Sequence, residues 1–268
     1  MPGLNSDMFA LLTLLSISVS IGFARYYGFT YVFPLFTWME IKGPLRFAIA
    51  AGLSVPSMVA VYQMVRETGQ PGPALWAALV VKEAFVGALL GGLLGLPFWG
   101  IQGVGDAVDV YRGASAANLF DPIHAQEMTI SGKFLIMLSL ALFMVLGGLD
   151  QSVDLLLRSQ AVWPAMTLAP PFELQTLKGF GDVALKALTI ALVLGAPLFI
   201  ALLLVDVTLI FAVRGARAFN VYDLTHSARG LLLMLVLPVY AILFGHHFET
   251  QLRDTMASFL AVIAGLAR

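Results

Sequence analysis

The residues of this chain that could do chemistry are the charged ones set inside apolar sequence. Lys82 and Glu83 stand together near the start of a long apolar stretch. Charges there are costly in lipid unless paired or shielded, and they point to a buried polar contact in an assembly or to a pore. The plainer reading is a helix end at a membrane boundary, with the Lys82 stem on apolar surface and its ammonium in water. Asp206 lies deeper, between Leu202–Val205 and Val207–Val213. A carboxylate so placed needs a cation or a proton, which fits a proton relay or, more simply, a polar contact between helices. Arg214 and Arg217 are near it in sequence but not one helical turn away. His246 and His247 are adjacent, so on a helix they face different sides, and no HExxH string or third ligand accompanies them; a helix-end pair at an interface is the expected reading. Walker A, G-x-S-x-G and dinucleotide-binding strings are absent, so the chain carries no visible engine of its own.

Gly103, Gly105 and Asp106 form a GxGD string of the kind found in intramembrane aspartyl proteases. Tyr222-Asp223 and Pro73-Ala74-Leu75 resemble two further strings of that class. Two opposed aspartates there would share a proton and activate water. In presenilin-like proteases the order is YD, GxGD, PAL; here it is reversed, and Asp223 falls in a polar connection. Strings this short also arise by chance.

The elements that must hold these residues are apolar. Hydrophobic residues make up 59% of the 268 and charged residues only 12%. The mean hydropathy is +0.89. A soluble domain has about 25% charged residues. Much of this surface must therefore face lipid or other apolar protein. Net charge is −1, with dispersed basic residues, which gives no pointer to nucleic acid. The absence of cysteine excludes disulfides, thiolate metal sites and cysteine nucleophiles. The start lacks a basic region and a small-residue cleavage site, so it is expected to be a retained first helix. No polar stretch is long enough for a separate soluble domain, so residues 1–268 are expected to form one membrane domain.

Asn5, Ser6 and Asp7 are N-cap types before an apolar run from Met8 to Ala24, which Arg25 is expected to end. An aromatic stretch with Pro34, Gly43 and Pro44 then reads as a bent interfacial connector. Further runs lie between Arg46 and Arg66, from Ala74 to about Val104, and from Phe134 to Leu149. GQPGP at 69–73 is a turn. Asp150, Asp154 and Arg158 fall on one face of a helical extension closed by a proline-rich stretch. Ala187–Val205 and Leu231–Gly245 follow, and Met256–Ala267 reads as a separate short helix. A straight span needs about 20 apolar residues, so the shortest runs fall below it. Gly87, Gly91 and Gly95 recur every four residues on one helix face, where a neighbouring helix can come close. Pro97 is expected to kink the far end of that helix. The fold class is thus all-α: a polytopic, membrane-associated bundle of bent, Gly/Pro-broken helical hairpins.

Several strings, taken in order, resemble one family. They are Arg25 with Phe33-Pro34-Leu35-Phe36 and Pro44-Leu45-Arg46, then Lys82-Glu83 with GALLGGLLG, then GVGDAVDVYRGASAANLFDP ending at Asp121-Pro122. Next come Phe143 with Gly147-Gly148, Ser159, Pro164, Ala196-Pro197, Leu204-Val205-Asp206, Arg214 and Phe219-Asn220-Val221-Tyr222. Their order and spacing resemble the FliR/SctT family, the export-gate subunit of bacterial flagellar and virulence type III secretion systems. The resemblance runs from about residue 20 to 235. It implies a subunit of the bacterial inner membrane, without catalysis and without a cofactor. It also implies partners: two smaller gate subunits in several copies, an autoproteolytic switch subunit, rod or needle base proteins, and unfolded secreted substrates. Much of such an assembly is held above the bilayer plane, which would account for the short, broken runs. A virulence or symbiosis system is favoured over a flagellar one. Lys82, Glu83, Asp106, Asp109, Asp121, Asp206 and Arg214 are the expected polar contacts of the gate, with Gly87, Gly91 and Gly95 as the close-packing face. The alternatives are a secondary transporter with an acidic midplane site at Asp206, for which no inverted repeat is found, and the aspartyl protease.

Overall fold

The computed structural model describes residues 2–112, 130–169, 174–215 and 221–266, and every regular element among them is helical. The helices are α1 (Pro2–Val32), α2 (Pro34–Trp38), α3 (Gly43–Thr68), α4 (Pro73–Tyr111), α5 (Ile130–Val145), α6 (Gly148–Val162), α7 (Leu174–Gly215) and α8 (Val221–Leu266). Five of them are long and apolar enough to cross a membrane. The expected all-α, polytopic class is what the chain adopts.

Several boundaries differ from those read in the sequence. Helix α1 begins at Pro2, so Asn5–Asp7 lie inside it; Pro supplies a helical φ at a first turn without losing a needed N–H. Arg25 does not end α1, which continues to Val32, because the charge is neutralised inside the protein instead of marking a boundary. The aromatic stretch after it is therefore helix as far as Val32, then the single turn of α2. Helices α7 and α8 run unbroken through Pro197 and Pro238. The run ending at Gly245 and the tail from Met256 are one helix of 46 residues. Proline is tolerated in membrane-type helices because neighbouring groups and local adjustments re-satisfy the freed carbonyl. By contrast α5 stops at Val145, and α6 begins anew at Gly148. Gly147 makes that break with a φ of +73°, a left-handed conformation natural to glycine at a helix C-terminus.

The chain forms two compact units. The first comprises Met1–Gly95, Gly148–Ala184 and Met256–Arg268. Here α1 packs along α3, and α3 also meets α6. The core gathers Ile17, Ile21, Val61, Val65, Leu79 and Ala165, with Leu14, Val80 and Met166 against it. Side-chain ties cross the helices, among them Trp76 Nε1 donating to Ser20 Oγ at 2.9 Å and Gln160 donating to Ser57.

The second unit comprises Leu96–Gly147 and Leu185–Thr255. Its centre is aromatic. Phe98 packs edge-on to Phe143 at 5.3 Å between centroids and lies 6.0 Å from Phe248, which stacks on Phe244. Tyr240 is buried beside them and donates its hydroxyl to the Leu194 carbonyl.

Candidate functional site

In the first unit, α1, α4 and the end of α6 converge on one buried group of charges. Arg25 of α1 and Glu83 of α4 are both fully buried. The guanidinium meets the carboxylate with two parallel bonds, Nε to Oε2 at 2.6 Å and Nη2 to Oε1 at 2.9 Å. That fork geometry is the strong form of the pair. The remaining donors are also taken: Nη1 by Ser159 Oγ at 2.8 Å and Nη2 by the Trp163 carbonyl at 2.9 Å. Lys82 pairs with the same Glu83 carboxylate. Its ammonium also donates to the carbonyls of Pro164 and Ala165 at 3.1 and 3.2 Å and sits 5.4 Å from the centre of the Trp163 ring.

One carboxylate thus serves two cations, and the surplus positive charge is met by backbone. Helix α6 ends at Val162, and the last carbonyls of a helix lack intrahelical donors and carry the negative end of its dipole. Pro164 has no N–H and holds the chain in a turn just beyond. Three successive carbonyls, of Trp163, Pro164 and Ala165, are thereby turned towards the cations. The cluster fastens three segments. Beside it, the hydroxyl of Tyr26 is buried and has no hydrogen-bond partner among the described residues.

Close approach of α1 and α4 makes these bonds possible. A Cβ on Gly87 would lie 1.8 Å from the Arg25 carbonyl oxygen, and one on Gly28 would lie 2.1 Å from that of Ala84. A Cβ on Gly91 would meet the Phe29 carbonyl oxygen at 2.8 Å. Glycines on both helices let the two backbones touch. Gly95 is buried one turn further on. The neighbour expected for the glycine face is therefore α1 of the same chain at Gly87 and Gly91.

Two polar ties of the second unit lie at the C-terminal turn of α4. Asp109 is 1% exposed. It receives the Ser131 backbone N–H and hydroxyl, each at 2.7 Å, and the Nε of Arg112 at 2.7 Å. Its carboxylate so caps the start of α5 from another helix. Asp206 of α7 finds a cation in Arg229 of α8. The pair is bidentate at 2.6 and 2.7 Å. The Tyr111 hydroxyl donates to Asp206 Oδ2 at 2.6 Å, and Arg229 Nη1 donates to the Tyr111 carbonyl at 3.0 Å.

Of the residues singled out in the sequence, Lys82 and Glu83 thus come together, with Arg25, in one unit. Asp109 and Asp206 act in the other. Asp106 is half-buried on α4. Asp121 lies outside the described residues, as do the side chains of Asp223, which falls within α8 and not in a connection, and of Arg214. Asp154 and Arg158 form an exposed pair one turn apart on α6, at 2.8 Å. His246 and His247 lie within α8 with perpendicular rings, not at a helix end. No cluster of potential metal ligands occurs among the described residues. Sequence reasoning missed Arg25, Ser159, Tyr111 and Arg229 as site residues. Arg25 and Ser159 belong to the strings that resemble the family, which was the available signal; a cross-helix partner has no sequence signature.

Comparison with known proteins places the chain. The model of the family described as bacterial export proteins, family 1, matches residues 16–255. The chain is 30% identical over 169 residues to the Yop proteins translocation protein T of Yersinia pestis, covering 63% of this chain and 65% of that protein's length. It is 29% identical over 226 residues to the surface presentation of antigens protein SpaR of Salmonella typhimurium, covering 83% of this chain and 82% of SpaR. It is 24% identical over 240 residues to the secretion system apparatus protein SsaT of the same organism, covering 88% and 91%. With its family model matched from the middle of α1 to the last third of α8, the chain belongs to the bacterial export proteins of family 1, the FliR/SctT family of type III secretion export-apparatus proteins.

Proposed function

We propose that the chain is a non-catalytic subunit of a type III secretion export gate in the bacterial inner membrane. There it forms part of the entry pore for unfolded secreted proteins, together with two smaller membrane subunits in several copies. The family match over residues 16–255 carries this reading. The relatives' names, with translocation of Yop proteins, presentation of antigens and a secretion apparatus in them, favour a virulence or symbiosis system. The autoproteolytic switch subunit and the rod or needle base are further partners, as the resemblance implies.

Residues 1–268 act in this reading as one export-gate domain. Lys82, Glu83, Asp106, Asp109, Asp121, Asp206 and Arg214 are its candidate gate or inter-subunit polar contacts, and Lys82, Glu83, Asp109 and Asp206 also make ties within the chain. The carrier alternative needs an acidic site open to a solute, whereas the Asp206 carboxylate is held by Arg229 and Tyr111. Deletion of the chain should abolish secretion of the system's substrates without loss of the other subunits' synthesis. Purification in mild detergent should return a stable multi-subunit complex. A chain that purifies alone and moves a small solute in vesicles would overturn the proposal.

A further inference from the structure

The C-terminal turn of α4 is held from two sides within the second unit. On one side Asp109, buried to 1% exposure, binds the first turn of α5 through the Ser131 N–H and hydroxyl. On the other side Tyr111 closes a ring with Asp206 of α7 and Arg229 of α8. Arg229 does three things there. It pairs with Asp206, accepts the Tyr111 ring against its guanidinium at 4.8 Å, and caps the last carbonyl of α4. The exposure of the carboxylate separates the two ties: Asp109 is 1% exposed and Asp206 17%, while their cations Arg112 and Arg229 stand alike at 23% and 19%.

We infer that these ties are a fixed and a releasable latch on one helix end, and that they position the end of α4 for export; this rests on the export-gate reading. Asp109 is the fixed latch. It is desolvated, and charge-assisted bonds to a helix N-terminus cannot be exchanged for water at such a site. The Asp206–Arg229–Tyr111 ring is the releasable one. Water or another anion reaches both its charges, so the ring can open without stranding a buried ion. When it opens, α4 loses its cap and its tie to α7 and α8 while keeping its tie to α5. The spacing between Tyr111 and Ser131 is then preserved, and the pair moves as one body. Asp206, Arg229 and Tyr111 are thus positioning residues, acting through the helix end they hold.

The absence of cysteine makes the test clean. Spin labels on Val110→Cys and Leu231→Cys, both exposed positions of α4 and α8, report the releasable latch by pulsed-EPR distances on the full chain in detergent. A second pair, Val110→Cys with Ile130→Cys, reports the fixed one. Asp206→Asn should broaden the first distribution and leave the second narrow, and the swap Asp206→Arg with Arg229→Asp should restore the first. Where Asp206→Asn yields no folded chain, Tyr111→Phe removes one bond and should give a smaller broadening of the first pair. An unchanged first distribution in the variant measured, or a second that broadens with it, overturns the inference. In cells, Asp206→Asn should lower substrate secretion several-fold, with recovery in the swap. Broadening with normal secretion would sink the positioning role and leave the export reading standing. Secretion that survives deletion of the whole chain would sink the export reading itself.

Discussion

Arg25 and Glu83 illustrate what a buried ion pair asks of its surroundings. Each is fully buried, and each spends its hydrogen-bonding capacity on named partners. Removing one partner of such a pair leaves an uncompensated charge and costs about 3–5 kcal/mol. Glu83→Gln should be the more damaging choice, because it strands both Arg25 and Lys82. We expect a large fall in the detergent thermal midpoint and in the yield of folded chain; a midpoint within error of wild type would contradict the assigned role. Tyr26 gives the opposite expectation. Its hydroxyl is buried without a partner among the described residues, a burden of about 1–3 kcal/mol. Tyr26→Phe should therefore raise the midpoint, and a clear loss would mean that the hydroxyl has a partner in the assembled protein.

At the scale of elements, glycines divide by what stands opposite them. Gly87 and Gly91 of α4 face the α1 backbone, with no room for a Cβ. Overpacking typically costs about 1–3 kcal/mol, more where backbone must move. Gly91→Leu should push α1 from α4, break the Arg25–Glu83 geometry and lose co-purification with the partner subunits, through misfolding of its own first unit. Gly103 lies on the same helix with nothing within 4 Å of a built Cβ. Gly103→Ala should be neutral or raise the midpoint of the isolated chain by the helix-propensity gain, up to about 1 kcal/mol. Comparing circular dichroism melts of the two variants tests the contrast directly. Equal damage from both would mean that propensity, not approach distance, governs this helix.

Over the whole molecule, large apolar side chains stay at the surface along the longest helices. Leu231, Met234, Leu235, Val239 and Ile242 of α8 are each more than 60% exposed, as are Leu185 and Leu192 of α7. Monomeric soluble proteins rarely leave such continuous surface uncovered. Lipid or partner helices must cover it in the cell. The chain should stay in the pellet after alkaline carbonate washing of membranes and enter solution only with detergent. Release by carbonate alone would argue against spanning helices.

The all-α class, the membrane setting and the family were legible in the sequence because each rests on composition, on helical spacing or on ordered local strings. Lys82-Glu83 and Asp206 stood out for the same reason: a charge in apolar sequence is visible without knowing its neighbours. Their partners were not visible. Arg25 lies 58 positions from Glu83 and Arg229 lies 23 from Asp206, and nothing local announces either pairing. The same limit explains the misplaced boundary at Arg25. A charge reads as the end of an apolar helix when its neutralising carboxylate is brought by another helix, and only packing reveals that carboxylate. Composition thus determined that these helices seek apolar surroundings. The tertiary structure alone decided which charges could be taken inside, because burying an ion depends on partners held within hydrogen-bonding distance.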